Sequence, residues 1–387
     1  MTENKKLELY FHIPFCVRKC LYCDFLSAPG TRAQIEAYME ALLTETRKRA
    51  GEYTDRTVTS IFLGGGTPSV VPPQKIQELM DTVRGSFRLS KDAEITMEVN
   101  PGTADAERLA AYYEAGINRL SIGLQSADEK ELSALGRIHS FSDFLNIWEA
   151  GRRTGFSNMS VDLMSAIPGQ TIASWRETLL KVLSLKYPPE HISAYSLIVE
   201  EGTPFASLQK EGRLPLPDED SERLMYEETG RILREHGYER YEISNYAKPG
   251  YACRHNCGYW QREDYLGLGI GAASLVDNVR FQNGRDLDRY LEAPLGCREG
   301  VQSLSVTEQM EEFVFLGLRM IRGISPLAFE RTFGVSMEKV YGPVIERNRK
   351  DGLLYFREDE ETKEGRLALT ERGLDLSNYC MAQFLLS

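Results

Sequence analysis

Apolar positions in the first half of the chain follow two alternating patterns. Short runs rich in Val, Ile and Leu recur at 7–13, 58–63, 94–99, 118–124, 158–164 and 191–198 and read as strands. Between them, 34–49, 73–87, 105–115, 141–154 and 172–185 carry apolar residues at three- and four-residue spacing, as amphipathic helices do. Strand then helix, repeated, is the pattern of a parallel sheet with right-handed crossovers. Polar and glycine-rich residues gather just after the strands, at 16–23, 64–69, 100–102, Gln125, Asp162 and 168–170, the edge that carries sites in parallel α/β folds. Five or six strand ends serving one place suit a closing barrel better than a crevice between two strands, so the expected fold is α/β with a partial (β/α)6 barrel.

The pattern changes after residue 213. Pro215 and Pro217 precede a helix expected over 218–236, and a tyrosine-rich stretch follows over 238–265. From about 306 the order is helix, short helix, helix, two strands joined by an acidic loop at 358–364, and a final helix, which resembles a winged helix. The expected organisation is a barrel over 1–213, an accessory region over 214–300 and a C-terminal winged-helix-like α+β domain over 301–387.

Charge changes what that last domain is expected to do. The whole chain carries −11, and 301–387 holds 11 basic against 14 acidic residues, a balance that does not attract phosphate backbones. Nucleic acid is therefore not an expected partner, and the domain reads as packing or a lid. With 42% hydrophobic and 27% charged residues over 387 positions, disorder and fibre are excluded. No apolar run is long enough for a signal peptide or a membrane span, so the protein is expected to be cytoplasmic and not membrane-spanning.

Seven cysteines in such a compartment point to metal, redox or packing roles rather than a disulfide framework. Three of them, Cys16, Cys20 and Cys23, form CxxxCxxC directly after the first strand. Three thiolates there could hold an iron–sulfur cubane with one iron left open, or zinc with a fourth ligand such as His12 or Asp24. Gly64, Gly65 and Gly66 let backbone approach a ligand closely, and Thr67 offers a hydroxyl. Glu98, Gln125, Arg137 and Asp162 are polar residues at or after apolar strands, where buried groups need partners.

YFHIPFCVRKCLYCDF followed by IFLGGGTPS resembles the radical S-adenosylmethionine enzymes. The resemblance implies a [4Fe-4S] cluster on Cys16, Cys20 and Cys23, with S-adenosyl-L-methionine bound at the open iron. It places Tyr10, Tyr22, Gly65, Gly66, Thr67, Glu98, Gln125, Arg137 and Asp162 as cofactor contacts, and an electron donor such as flavodoxin or ferredoxin as a partner. The catalytic residues stay unassigned.

The likeness is greatest to the oxygen-independent coproporphyrinogen oxidase group, especially its HemW-type haem chaperones. The oxidases resemble CxxxCxxCxC, whereas Phe25 stands at the fourth cysteine position here. His255, Asn256, Tyr259 and Trp260 reproduce the HNxxYW motif of the chaperone type, and imidazole and aromatic rings suit haem. One departure is Ala273, where many such relatives carry the histidine of a GAH motif. The implied function is haem binding and delivery to acceptor haemoproteins. The alternative is a radical enzyme acting on a porphyrinogen, or a methyl- or alkyl-transferring relative. If 253–257 is extended, Cys253, His255 and Cys257 would share one face and offer a small metal site.

Overall fold

The computed structural model describes residues 5–359 and 362–386. Six strands form in order: β1 Lys5–Ile13, β2 Arg56–Gly65, β3 Arg88–Val99, β4 Arg119–Gln125, β5 Met159–Ser165 and β6 His191–Ser196. Each pairs in parallel with the next. Sequential order without reversal makes a singly wound, barrel-like sheet rather than a doubly wound one. Helices α1 Arg32–Ala50, α2 Pro73–Ser86, α3 Ala106–Glu114, α4 Glu129–Ala134, α5 Phe141–Thr154 and α6 Ile172–Leu183 occupy the crossovers.

Local chemistry explains these boundaries. Thr31, Ser140 and Thr171 cap α1, α5 and α6 with reciprocal side-chain bonds, and Gly155 ends α5 in the left-handed conformation. On β1, Leu7, Leu9, Phe11 and Ile13 enter the main core, while Glu8, Tyr10 and His12 alternate onto the other face, the barrel interior.

The sheet continues past residue 213. After the short α7, Pro204–Lys210, α8 Glu219–Glu235 packs on α6, β5 and β6, as the sixth crossover helix would. Strands β7 Glu239–Arg240 and β8 Asn245–Ala247 extend the sheet beyond β6. Helix α9 Arg254–Trp260 leads into β9 Tyr265–Leu268, which pairs with the free side of β1 in parallel. Strands β10 Ala273–Val276, β11 Val279–Asn283 and β12 Arg298–Ser303 then add antiparallel, with α10 Leu287–Glu292 between the last two. Among the described residues the sheet has twelve strands and stays open between β12 and β7. It is a partial barrel.

The C-terminal part has its own core. Helices α11 Val306–Gly317, α12 Pro326–Phe333 and α13 Met337–Lys350 precede the hairpin of β13 Leu354–Glu358 and β14 Gly365–Leu369, then α14 Glu371–Asp375 and α15 Ser377–Ala382. Phe329, Tyr341, Leu367 and Phe384 pack at its centre. The hairpin tip at 360–361 lies outside the described residues. This unit meets the barrel at the α9 end, where Glu312 pairs with both Arg262 and Arg280 and the Arg319 guanidinium covers the Trp260 ring at 4.2 Å.

Candidate functional site

The cysteine loop is held in place by its neighbours rather than by its own sequence. Residues Phe15–Cys16 pair with Ala28–Pro29, closing the loop at its base. The Leu21 N–H donates to Leu135 O and the Phe205 N–H to Leu21 O, so α4 and α7 grip its middle. His12 fixes its far end. The His12 Nε2 must donate to Leu26 O at 2.8 Å, since a carbonyl only accepts, which leaves Nδ1 to accept from the Tyr10 hydroxyl at 3.1 Å.

The glycine turn is stitched to the same base. The N–H groups of Gly66 and Thr67 donate to Ile13 O and Phe15 O at 2.8 and 2.7 Å. A Cβ at Gly66 would stand 2.6 Å from Phe15 O, and Gly65 has φ +109° with the His12 ring directly beneath it. Only glycine permits both approaches. The turn therefore lies against the strand that leads into Cys16.

A hydrogen-bonded fence closes the opposite wall. The Arg137 Nη2 donates to the Tyr22 hydroxyl at 2.9 Å and its Nη1 to Asn100 Oδ1 at 3.1 Å, while Asn100 Nδ2 donates to Thr67 Oγ1 at 2.8 Å. Cys20, Thr67, Asn100 and Arg137 line one small cleft. Gly123 makes room for this convergence, because a Cβ there would sit 2.7 Å from Asn100 Oδ1 and 3.1 Å from Gln125 Nε2. Gln125 itself has φ +71°, a conformation that costs a non-glycine residue about 1 kcal/mol or more and clusters at functional sites. Asn100 falls in the strand-end segment 100–102 that the sequence pattern singles out, but it was absent from the expected cofactor contacts. Of the expected strand-end segments, 168–170 does not join: Gln170 binds Glu131 and the Gly169 N–H donates to Pro215 O.

Glu98 and Asp162 stand inside the barrel beneath this wall. The Glu98 carboxylate accepts from the Gly65 N–H at 3.1 Å, and Ser121 Oγ donates to both Asp162 oxygens at 3.0 and 3.1 Å. Burial, and then the charge of Asp162, push the Glu98 carboxyl up to about 8. A carboxyl raised in the fold holds a proton that the unfolded chain has lost, from the ordinary value of 4.5 up to about 8, so its contribution to stability falls as pH rises through that window. Denaturant midpoints from pH 5 to 8 are expected to fall more steeply for the native chain than for Glu98→Gln, by up to about 1.4 kcal/mol per pH unit. Parallel curves would show that Glu98 is ionised throughout.

The donor set fits an iron–sulfur cluster better than zinc. A closed zinc site takes four protein ligands, and His12, an expected fourth ligand, has both ring nitrogens engaged by Leu26 O and the Tyr10 hydroxyl. A cubane takes one thiolate per iron, and Cys16, Cys20 and Cys23 are free, partly exposed thiols on one loop. Burial raises the Cys20 thiol, opposed chiefly by the Arg137 charge, and burial likewise raises Cys23. The unpartnered buried Nε of Arg137 and the glycine cradle likewise suit an anionic, closely seated ligand.

His255, Asn256, Tyr259 and Trp260 lie elsewhere. The extended reading of 253–257 is corrected to helix α9, because Glu94 on β3 accepts from the Arg254 and His255 N–H groups at 2.9 and 3.3 Å and caps its first turn. Cys253 and Cys257 are then one turn apart and His255 does not share their face. His255 is buried, with Nδ1 2.8 Å from Ser60 Oγ and Nε2 3.0 Å from the Tyr259 hydroxyl. Burial, with Arg119 nearby, pushes its pKa down to about 3, so the ring is neutral. Trp260 packs under Arg319, and Asn256 is partly exposed. Glu8, Ser60 and Glu94 lie in the middle of their strands, whereas Gly65 ends β2 and Asn100 follows β3, five or six residues further on and roughly 15–20 Å away at about 3.3 Å per residue. Tyr10 spans the gap, within 6.5 Å of the His255 ring and bonded to His12.

The family models describe both ends of the chain. The radical SAM superfamily model matches residues 10–182, and the HemN C-terminal domain model matches 304–376. A Lactococcus lactis protein named heme chaperone HemW is 37% identical, over 99% of this chain and 98% of its own. Its Bacillus subtilis namesake is 35% identical over 97% and 98%, and that of Escherichia coli 36% over 95% and 97%. The coproporphyrinogen III oxidase HemN of Escherichia coli, described as a radical SAM enzyme, superposes with a TM-score of 0.84 at 24% identity, covering 99% of this chain and 91% of that one. That last likeness establishes a shared fold.

Proposed function

Since the chain belongs to the radical S-adenosylmethionine superfamily, within its HemW group, we propose that it is a haem chaperone that binds haem and passes it to acceptor haemoproteins. The observation that carries this reading is the end-to-end likeness to proteins named heme chaperone HemW. Phe25 supports it, standing exposed where the oxidases resemble a fourth cysteine.

In this reading Cys16, Cys20 and Cys23 hold a [4Fe-4S] cluster. The glycine turn, Thr67, Tyr22 and Arg137 seat S-adenosyl-L-methionine against it, with Glu98 offering an acceptor to its amino group. Gln125, Asp162 and Tyr10 line the remaining interior. Together such a cluster and cofactor supply one-electron cleavage of a sulfonium. The chain's own part is to hold and orient: Arg137 supplies fixed positive charge beside Cys20, and the fence from Tyr22 to Thr67 keeps the two walls in register. Flavodoxin or ferredoxin is the proposed electron donor and the cytoplasm the proposed compartment. No helix among the described residues is long and apolar enough to cross a membrane.

His255, Asn256, Tyr259 and Trp260 are the proposed haem contacts. His255 is buried, with Nδ1 on Ser60 of β2 and Nε2 on Tyr259 of its own helix, so ligation requires α9 to leave its seat and one of these bonds to open. Anaerobic haem titration of the cluster-reconstituted protein should saturate near one haem per chain. His255→Ala should weaken binding without loss of iron or sulfide from the cluster. Absence of saturable binding would sink the chaperone reading and direct attention to product analysis with coproporphyrinogen.

A further inference from the structure

Asn100 joins the two walls of the cleft, and its orientation is fixed by chemistry. The Arg137 guanidinium can only donate, so the amide oxygen must face it and the amide nitrogen must face Thr67. Thr67 Oγ1 therefore accepts from Asn100. Its own proton has no acceptor among the described residues, and Thr67 lines the same cleft as Cys20 and Arg137. The rest of Asn100 is pinned as well. Its N–H donates to Ser69 Oγ at 3.4 Å, its carbonyl accepts from the Thr103 hydroxyl at 2.6 Å, and Gly123 leaves the space its Oδ1 occupies.

We propose that Asn100 is a positioning residue that makes the Thr67 hydroxyl a hydrogen-bond donor toward the carboxylate of an amino-acid ligand, here the methionyl end of S-adenosyl-L-methionine. The proposal rests on the cofactor-site reading above. The pairing is chemically consistent across the glycine turn. A donor at Thr67 and the partly unpaired guanidinium of Arg137 face an anion, while Glu98, bonded to Gly65, offers an acceptor for an ammonium. An amide at position 100 selects this polarity. A carboxylate there would accept the Thr67 proton itself and present oxygen lone pairs to the ligand.

The test is equilibrium binding of S-adenosyl-L-methionine and of its decarboxylated analogue to the cluster-reconstituted protein. Four chains are compared: native, Asn100→Asp, Thr67→Val and the double variant, each with iron content and circular dichroism matched to native. Asn100→Asp is near-isosteric and keeps an acceptor for Arg137. It should weaken S-adenosyl-L-methionine by about 10- to 100-fold, the range for one hydrogen bond to a charged group, and leave the decarboxylated analogue nearly unchanged. The same substitution should cost far less in the Thr67→Val chain, since simple charge repulsion would act with or without the hydroxyl. Equal losses for the two ligands, or an undiminished loss in the Thr67→Val chain, would overturn the role of Asn100. Native protein that binds neither ligand would overturn the cofactor site and this inference together.

Discussion

Cys20→Ala is expected to leave the anaerobically reconstituted protein without the broad brown absorption of a cubane, and without stoichiometric iron and sulfide. In the proposed assignment three thiolates on one loop are the whole protein ligand set, and two hold such a cluster poorly. The loop itself should survive the change, because its anchors are backbone bonds at Leu21, Phe205 and Ala28 and the His12 bond to Leu26. Cys20 is only partly buried, so the cavity cost is small and circular dichroism should match the native chain. Cys297→Ala is the control, since Cys297 is buried against Arg289 O and Ala293 O far along the sequence, and it should retain full cluster content. Undiminished absorption in Cys20→Ala would move the cluster to other thiols.

Gly258→Ala should destabilise the chain by about 2–3 kcal/mol, although alanine is the better helix former. The sign is set by the seat of α9. A Cβ at 258 would overlap the Glu8 carboxyl, and overpacking a close contact typically costs about 1–3 kcal/mol. Glu8 cannot simply swing into water, because it is buried; that burial raises its carboxyl to about 9, so it is protonated near neutral pH. Glu8→Ala should therefore relieve much of the penalty, and denaturant titrations of the two single variants and the pair should show a coupling of about 1 kcal/mol or more.

Haem binding supplies a second reading of the same variant. If His255 ligates haem, only chains with α9 unseated can do so, and apparent affinity is reduced by that fraction. Gly258→Ala should then raise haem affinity while lowering stability, and His255→Ala should lower it. Equal haem affinity in both variants would place the haem ligand outside α9. The seat already carries unmet demand: Glu8 Oε2, Trp260 Nε1, Glu242 Oε2 and the Arg319 Nε are buried without hydrogen bonds among the described residues, Glu8 Oε2 and Glu242 Oε2 having only longer contacts of 3.7 and 3.9 Å to His255 and Arg319.

Much of the fold was legible because periodicity is a local property. The strand at 94–99 and the helix at 141–154 show their buried faces in the spacing of apolar residues alone, and Phe141–Thr154 forms as read. The cysteine spacing and the glycine turn were legible for a similar reason, since each packs its chemistry into a few consecutive residues. Helix α9 was not legible. Its sequence, RHNCGYW, has little helical bias, and Glu94, far back along the chain on β3, supplies the cap that makes it a helix. The extended form on which a shared face of Cys253, His255 and Cys257 depended is therefore not adopted.

The sequence by itself determined the α/β class with a parallel sheet, the helical and hairpin order of the C-terminal part, the three-thiol loop and the kinship that the family models describe, while the singly wound strand order is seen in the pairing of the strands. Tertiary structure alone decided which polar residues meet. Asn100 joins Thr67 to Arg137, and Gln170 turns away to Glu131. It also decided that His255 lies inside the barrel against Tyr10 and Phe62, apart from the cysteine loop, with both nitrogens spent on Ser60 and Tyr259. The reason is physical: patterning fixes which face of an element is buried, but a hydrogen bond between side chains tens or hundreds of residues apart depends on how strands register and helices pack across the barrel.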